Sequence, residues 1–434
     1  MLTGASRLSQ IFEGNRQGRR LGVYSVCCAH PSAIRPALAL ASARGQVAVI
    51  ESTCNQVNQD GGYTGMTPAA FAHQVKAMAL DAGLPGGDLV LGGDHLGPQP
   101  WRALPAAAAM IKAVAMIEAY SSAGYGKLHL DCSMPCGEDP AALDDDVIAQ
   151  RAAQLAAAAE AVTAHAETRP VYVIGTEVPA PGGMGEGHAI TPTAPESVKR
   201  TWSAHRRAFA QLGLEDAFAR VVAIVVQPGL DFGNEEVVAF EAGGAVGLAE
   251  VVLDLERVVY EAHSTDYQAP PAYAALIDQH FAILKVGPAA TFALREGIYA
   301  LEAVAREMSG WDTQSSVRAA LEAAMLHEPK HWASHYAGDS ASQARLRHFS
   351  YSDRIRYYWT DPAVEHAVDA LFAFLLDRGM PLPLVSQYFP QHLPAIVSGA
   401  LAAEPAALID ASVQLALAPY ADACGDHSAA RAEA

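Results

Sequence analysis

Eight short apolar segments, each followed by a polar or charged residue and then by a helical pattern, constrain the fold of this 434-residue chain most strongly. Strands that are apolar on both faces are typical of buried parallel sheets, and strands that alternate with helices imply a parallel sheet. Eight such units predict a closed α/β barrel of the TIM, or (β/α)8, type. The predicted strands are residues 21–26, 46–50, 89–91, 127–130, 171–175, 221–226, 257–260 and 281–284.

The alternation of strands and helices stops after residue 310. Helical patterns then follow at residues 316–326, 362–377 and 405–418, around an aromatic and basic stretch at residues 345–359. We therefore predict two parts, which are a barrel catalytic domain at residues 1–310 and a mostly helical C-terminal extension, packed on the barrel, at residues 311–434.

Composition excludes several classes of partner. The net charge of −18 argues against a nucleic acid or an anionic membrane surface as ligand. Residues 1–20 lack the apolar core of a secretory signal, and no apolar run reaches the roughly 18 residues of a membrane span. The six cysteines indicate reduced thiols and a cytoplasmic location. Cys132 and Cys136 suggest zinc only weakly, because no second Cys/His pair completes the pattern.

Polar residues follow nearly every predicted strand, at the end of the barrel where catalytic groups of TIM barrels lie. Any one of them has an alternative role as a helix cap or a buried hydrogen-bonding group. A complete ring of them is difficult to explain in that way. In chain order the ring contains Glu51, Asp94, His95, Asp131, Glu177, Gln227, His263 and Lys285.

Two histidines of this ring, His95 and His263, are our predicted metal ligands. Imidazoles with carboxylates between them suit a divalent metal that keeps positions open for substrate and acts as a Lewis acid on a carbonyl group. Glu177 or Gln227 is the candidate third ligand, and Asp94 is the predicted general base. The alternative for each histidine is a neutral, hydrogen-bonded barrel residue.

Three basic residues leave two interpretations each. Lys285 lies at the end of the eighth strand, where it either forms a Schiff base with a carbonyl substrate or pairs with the surrounding carboxylates. Arg354 and Arg356 flank Ile355, so in an extended segment they would share a face and bind a phosphate group. The alternative is ion pairing at the surface of an acidic protein.

Three motifs identify a resemblance. The segments NQVNQDGGYTGMTP at residues 55–68, GGDHLGP at 92–98 and EAHSTDYQ at 261–268 resemble the GatZ/KbaZ family of galactitol, tagatose and N-acetylgalactosamine catabolism. The resemblance extends over nearly the whole chain. It implies a fold similar to that of class II aldolases, which is a TIM barrel with a divalent metal. Zn²⁺ is the expected ion, with Mn²⁺, Co²⁺ and Ni²⁺ as alternatives.

The resemblance also implies roles for particular residues. Asp94 and His95 look like the adjacent base and metal ligand of class II aldolases, and His263 with Ser264 looks like their later metal histidine. Where another metal histidine is expected, the sixth strand ends in Gln227. The implied number of ligands is therefore open.

Two functions occur in the family. Some members are non-catalytic subunits that stabilise a class II D-tagatose-1,6-bisphosphate aldolase, and others are 4-epimerases that interconvert D-tagatose 6-phosphate and D-fructose 6-phosphate. We predict the enzyme, with a sugar phosphate as substrate. An aldolase catalytic subunit and a second copy of the chain are the protein partners left open. The predicted substrate-binding residues are Glu51, Gln227, Ser264, Thr265, Asp266, Lys285, Gly287, Arg354 and Arg356.

The predicted mechanism is a retro-aldol reaction followed by an aldol reaction, because the C4 hydrogen of a 2-ketose is not acidic. Asp94 would take the proton of the C4 hydroxyl group, and the C3–C4 bond would break to an enediolate and glyceraldehyde 3-phosphate. The aldehyde would rotate, and the bond would form again with C4 inverted. Glu177 or Asp131 would return the proton on the new face.

Overall fold

The computed structural model describes residues 4–178, 190–312 and 316–427, and it confirms the predicted barrel. Eight parallel strands close on themselves. They are β1 (Val23–Cys27), β2 (Ala48–Thr53), β3 (Leu89–Leu96), β4 (Lys127–Leu130), β5 (Val171–Ile174), β6 (Val221–Val226), β9 (Val259–Ala262) and β10 (Ile283–Val286). Two short strands, β7 (Asp231–Phe232) and β8 (Val237–Val238), form a separate antiparallel pair.

Helices precede the barrel and connect its strands. They are α1 (Gly4–Arg16), α2 (Pro31–Arg44), α3 (Pro68–Asp81), α4 (Ala106–Ser122), α5 (Asp145–Thr163), α6 (Pro195–Gln211), α7 (Glu215–Phe218), α8 (Val246–Asp254), α9 (Pro270–Asp278) and α10 (Pro288–Arg306). The start of α3 follows from its sequence, because the Thr67 hydroxyl group accepts a hydrogen bond from the Ala70 amide at 3.4 Å and Pro68 occupies the first turn.

Alternate residues of the strands fill the barrel in two layers. At the amino ends of the strands a buried apolar cluster contains Val23, Val49, Val171 and Ile283, together with Phe12 from α1. Because side chains alternate across a strand, the next inward positions in β2, β9 and β10 carry charged groups. The apolar layer therefore supports a polar layer nearer the carboxyl ends.

Several strands extend beyond their predicted ends, so the polar ring lies partly within the barrel wall. β2 continues through Glu51, β3 through Asp94 and His95, and β10 through Lys285. The pairing of β3 with β4 shifts register between Gly93 and Leu96, where His95 adopts a φ of 50°. Such an irregularity turns side chains in a new direction at a barrel rim.

The C-terminal extension consists of helices that pack on the barrel. They are α11 (Val317–His327), α12 (Ser340–Phe349), α13 (Pro362–Arg378), α14 (Leu382–Tyr388), α15 (Leu393–Val397) and α16 (Pro405–Ala423). The last helix, α16, packs against α2, α9 and α10. The proposed division between residues 310 and 311 stays a prediction.

The residues that follow α16, as far as His427, pack against the barrel. His427 Nδ1 accepts a hydrogen bond from the Val47 amide at 3.0 Å, and its Nε2 lies 2.9 Å from the Gly22 carbonyl oxygen. Gln46 donates to the carbonyl oxygens of Ala421 and Gly425.

Across the ranges 4–178, 190–312 and 316–427, no helix combines the length and apolar character needed to cross a bilayer.

One local expectation is wrong. Arg354–Tyr357 forms a single 3-10 turn, not an extended segment, and Asp353 before it adopts a φ of 45°. In such a turn the side chains of residues two apart do not share a face. This separates the environments of Arg354 and Arg356.

Candidate active site

A cavity opens at the carboxyl ends of the barrel strands. Its floor contains Asp94, His95, His263 and Lys285 from the barrel. Its wall includes Arg356 and Tyr357, which come from the C-terminal extension. The further lining residues are Cys27, Thr53, Asn55, Gln56, Tyr63, Phe232, Ser264, Asp266, Val286, Gly287 and Pro288.

Three buried imidazoles face one another, of which His95 and His263 line the cavity and His129 is fully buried beside them. The ring centroid of His95 lies 4.9 Å from that of His263 and 5.2 Å from that of His129, and the last two are 5.3 Å apart. The structure thus brings together the two predicted metal ligands, and it adds His129, which the sequence analysis did not select.

The donor atoms around these rings fit a divalent metal. Asp94, His129, Glu261 and His263 each offer a ligand atom, and these atoms all lie within 4.8 Å of one another. His129 Nε2 is buried and has no hydrogen-bond partner among the described residues. A buried polar atom of this kind is costly unless it has a partner. The cluster of imidazoles and carboxylates is therefore a candidate metal centre.

His95 is oriented in the manner of a metal-binding histidine. Its Nδ1 lies 2.7 Å from Asp131 Oδ2, and Asp131 Oδ1 accepts hydrogen bonds from the amide and hydroxyl groups of Ser133. A carboxylate bound to one ring nitrogen fixes the tautomer and the ring orientation, and here the other nitrogen, Nε2, lies 3.7 Å from Asp94 Oδ2. Asp131 therefore supports His95 from behind and is not among the described residues that line the cavity.

The protonation state of His263 suits a metal ligand, whereas for His95 burial, which would lower the pKa, is outweighed by Asp94 and Asp131, which raise it. Burial lowers the pKa of His263 to about 4, although Glu261 at 2.9 Å acts in the opposite direction, so the ring is neutral at pH 7. Burial alone would raise the pKa of Asp94, but His95 and Lys285 hold it well below its usual value. Asp94 is thus an ionised carboxylate that can accept a proton.

A buried ion network lies beneath the histidines. Lys127, which is fully buried, bridges Glu51 Oε1 and Glu261 Oε2 at 2.6 Å each. Lys285 contacts Glu51 and lies 2.8 Å from Asp94 Oδ1. Burial would lower the pKa of Lys285, but Asp94 and the other nearby carboxylates raise it well above its usual value. A protonated amine is not a nucleophile, so the contacts favour the ion-pair interpretation over the Schiff base.

The two arginines of the 3-10 turn have different surroundings. Arg356 lines the cavity, with Nη1 donating to the carbonyl oxygens of Ser352 and Asp353 and Nη2 donating to the Tyr357 hydroxyl group at 3.2 Å. Arg354 is buried, and its Nη1 donates to the His331 carbonyl oxygen at 3.1 Å. Only Arg356 is therefore placed to meet a substrate in the cavity.

The segment after β9 contributes both cavity and support residues. Ser264 and Gly287 line the cavity. Asp266 Oδ1 accepts hydrogen bonds from the amides of Gly287 at 3.0 Å and Ala289 at 2.8 Å, so those amides are already engaged. The Thr265 hydroxyl group donates to the Lys285 carbonyl oxygen at 2.6 Å and has a structural role.

Two residues of the predicted ring stand apart from the floor. Glu177 is exposed and is not among the described residues that line the cavity. Gln227 Oε1 accepts hydrogen bonds from the amides of Gly229 and Leu230, so it stabilises its own turn. Neither residue is placed by these contacts as a third metal ligand.

His129 and Glu261 lie within β4 and β9, whereas the predicted ring contains residues that follow the apolar runs, so the sequence analysis did not include these two. The signal was present in the sequence. Lys127, His129 and Asp131 alternate with leucines in and after β4, and a buried strand with polar residues at every second position must direct them to one face. Glu261 and His263 repeat this pattern at β9.

Comparisons with known proteins agree with this geometry. A sequence model of the family described as D-tagatose-1,6-bisphosphate aldolase subunit GatZ/KbaZ-like matches residues 8–425. A D-tagatose 6-phosphate 4-epimerase of Agrobacterium fabrum is 47% identical over 421 residues, which cover 96% of this chain and 98% of that protein. The crystal structure of a probable tagatose 6 phosphate kinase from Sinorhizobium meliloti is 46% identical, covers 93% of this chain and 100% of its own, and superposes with a TM-score of 0.86. The chain therefore belongs to the GatZ/KbaZ-like family.

Proposed function

We propose that this chain is a metal-dependent sugar-phosphate 4-epimerase that interconverts D-tagatose 6-phosphate and D-fructose 6-phosphate by a retro-aldol and aldol route. One observation carries the proposal, which is that Asp94, His95 and His263 line the same cavity as Arg356, with the buried ring of His129 in contact with both histidines. The relative named D-tagatose 6-phosphate 4-epimerase, 47% identical, supports the choice of substrate and reaction.

The metal would be held by ligand atoms of Asp94, His129, Glu261 and His263, with His95 adjacent at 4.9 Å between its ring centroid and that of His263. When bound there, it supplies a Lewis acid that polarises the C2 carbonyl group of the ketose. A set of imidazoles with carboxylates suits Zn²⁺, Mn²⁺, Co²⁺ or Ni²⁺, and we propose Zn²⁺.

The chain's own residues then have defined tasks. Arg356 binds the phosphate group through its planar guanidinium. Asp94, ionised beside Lys285, accepts the proton of the C4 hydroxyl group as the C3–C4 bond breaks. The bonding electrons pass to the C1–C3 fragment, while C4 becomes the aldehyde carbon of glyceraldehyde 3-phosphate. Rotation of this aldehyde before the bond forms again inverts C4.

The test is turnover by the purified chain alone. We expect it to convert D-tagatose 6-phosphate to D-fructose 6-phosphate without a second protein. Substrate deuterated at C4 should keep its label through turnover in water, because the retro-aldol route never breaks the C4–H bond. Loss of the label to solvent would exclude this route.

The family description favours a second function, that of an aldolase subunit. On that interpretation the chain would bind a class II D-tagatose-1,6-bisphosphate aldolase and stabilise it. The same assay separates the two functions. A chain that shows no epimerisation alone, but that raises the thermal stability of an added aldolase, would be the accessory subunit.

A further inference from the structure

Inversion at C4 requires one group that removes the proton of the C4 hydroxyl group in the first epimer and another that returns a proton to the C4 oxygen on the opposite side. The C4 hydroxyl groups of the two epimers point to opposite sides of the carbon chain, so a base that reaches one does not reach the other in the same pose. Asp94, on the cavity floor, exchanges a proton with the C4 oxygen of one epimer. The two residues that the sequence suggested for the other are poorly placed, because Glu177 is exposed outside the described lining and Asp131 lies behind His95.

Tyr357 lies in the same cavity as Asp94 but belongs to a different part of the fold. It ends the 3-10 turn of the C-terminal extension, so its phenol belongs to the wall above the floor. Its ring stacks on His331 at a centroid distance of 4.5 Å and an interplanar angle of 1°. It also meets the ring of Tyr63 at 4.6 Å, edge to face. These contacts hold the ring between the segment Pro329–His331 of the extension and the loop that follows β2.

The charges around this phenol favour proton exchange. Four titratable or charged groups face it, which are Arg354 and Arg356 from its own turn, His331 and Tyr63. Burial would raise the pKa of Tyr357, but the two guanidinium groups outweigh burial and lower it. Arg356 Nη2 donates to the phenol oxygen, which stabilises the phenolate further.

The other ionisable groups of the lining are less suited. Burial raises the pKa of Tyr63 and, well above its usual value, that of the Cys27 thiol, so both stay protonated. Lys285 is bound by carboxylates, and Asp266 accepts the amide hydrogen bonds at the start of α10. His95 and His263 belong to the candidate metal centre.

We propose that Tyr357 is the second acid–base catalytic residue, exchanging a proton with the C4 oxygen on the side that Asp94 does not serve. The proposal rests on the proposed epimerase function. From one epimer, Asp94 takes the C4 hydroxyl proton and the C3–C4 bond breaks. After the aldehyde rotates and the bond forms again, the C4 alkoxide takes the phenol proton of Tyr357. Asp94 then releases its proton to water and the phenolate regains one, which restores both groups. The reverse reaction starts at Tyr357.

The test compares Tyr357→Phe with the wild-type chain on each epimer separately. We expect kcat for epimerisation to fall by about 100-fold or more, the usual effect of losing a general acid or base, with KM changed much less. Cleavage should become asymmetric. The epimer served by Asp94 should still release glyceraldehyde 3-phosphate, detected with a coupled dehydrogenase, while the other epimer should not.

Tyr358→Phe is the matched control. It removes the neighbouring phenol oxygen, which donates to the Glu328 carbonyl oxygen and does not line the cavity. We expect it to epimerise at the wild-type rate. A purely structural role for Tyr357 would slow the cleavage of both epimers equally.

A second variant keeps the ring and changes only its acidity. Fluorotyrosine at position 357 should move a limb of the pH profile of kcat to lower pH. An unchanged profile, a rise in KM alone, or equal cleavage of both epimers by Tyr357→Phe would overturn the assignment. A wild-type chain that does not epimerise would instead refute the proposed function, and the role of Tyr357 with it.

Discussion

Arg354 and Arg356 are two residues apart in one turn, but their side chains have different surroundings. Arg356 reaches the cavity, whereas Arg354 is buried against the His331 carbonyl oxygen. We expect Arg356→Ala to raise KM for tagatose 6-phosphate by about 10-fold to 150-fold, since a hydrogen bond to a charged group contributes about 1.5–3 kcal/mol. KM for unphosphorylated tagatose should change little.

Arg354→Ala is the matched control for this prediction. It removes the same guanidinium from the same turn, but from a side chain that does not line the cavity. Its effect on KM should be similar for the phosphorylated and free sugars. If Arg354→Ala raised KM selectively for the phosphorylated sugar and Arg356→Ala did not, the phosphate group would bind at Arg354 and not at Arg356.

His129 provides the residue-scale test of the metal centre. We expect His129→Gln to weaken metal binding at least about 10-fold, because replacement of even a supporting residue around a metal has an effect of that size. The weaker binding is checked by the metal content of the variant after dialysis, measured by mass spectrometry. His205→Gln is the control, since His205 is another fully buried histidine, in α6, whose Nδ1 lies 2.8 Å from the Thr201 carbonyl oxygen. Equal metal content in both variants would exclude His129 as a ligand.

At the scale of elements, the sequence predicted which strands exist better than where they end. The apolar runs before Glu51 and Asp94 identified β2 and β3, but both strands continue through those residues. A charged residue normally marks the end of an apolar run, and here the carboxylates stay in the strand because buried partners such as Lys127 neutralise them. Such partners are distant in sequence, so no local pattern reveals them.

The 3-10 turn illustrates a different limit. For the basic and aromatic stretch the sequence left a phosphate site and surface ion pairing open, and alternation around Ile355 suggested an extended segment. Asp353, with its positive φ, begins a turn that directs Arg356 and Tyr357 into the cavity. Its conformation depends on contacts with the barrel helix α10, where Thr291 donates to the Asp353 carboxyl group.

At the start of α10, Asp266 should make the stability of the fold depend on pH. Burial raises the pKa of Asp266 to about 6, although its hydrogen bonds from Gly287 and Ala289 lower it. The folded chain therefore binds this proton more tightly than the unfolded chain. The resulting stabilisation is complete below about pH 4 and is lost as the pH rises to about 6. With about 1.4 kcal/mol per pKa unit, the loss is roughly 3 kcal/mol.

Asp266→Asn should remove this dependence, because the amide oxygen still accepts both hydrogen bonds and does not ionise. We expect the variant to melt at a higher temperature than the wild-type chain at pH 8 and at a similar temperature near pH 4. Asp278→Asn, at an exposed carboxylate paired with Arg20, is the control. A lower melting temperature of Asp266→Asn at pH 8 would contradict the prediction.

At the scale of the whole molecule, barrel and extension depend on each other. α16 covers α2, α9 and α10, and His427 binds backbone groups beside β1 and β2. We expect a chain ending at residue 310 to lose its cooperative thermal transition, because these apolar helix faces would become exposed. A chain ending at residue 427 is the control. A soluble, cooperatively melting 1–310 chain would show that the barrel folds independently.

The cavity draws its reactive groups and its wall from parts of the chain that are far apart in sequence. The proposed metal-binding and base residues lie in β3, in β4, and in or directly after β9, whereas Arg356 belongs to a short turn of the C-terminal extension. Mutational libraries that keep Tyr357 can therefore vary Arg356 while leaving the acid–base groups of the barrel and of the turn unchanged. A scaffold divided in this way offers a route toward epimerising unphosphorylated ketoses.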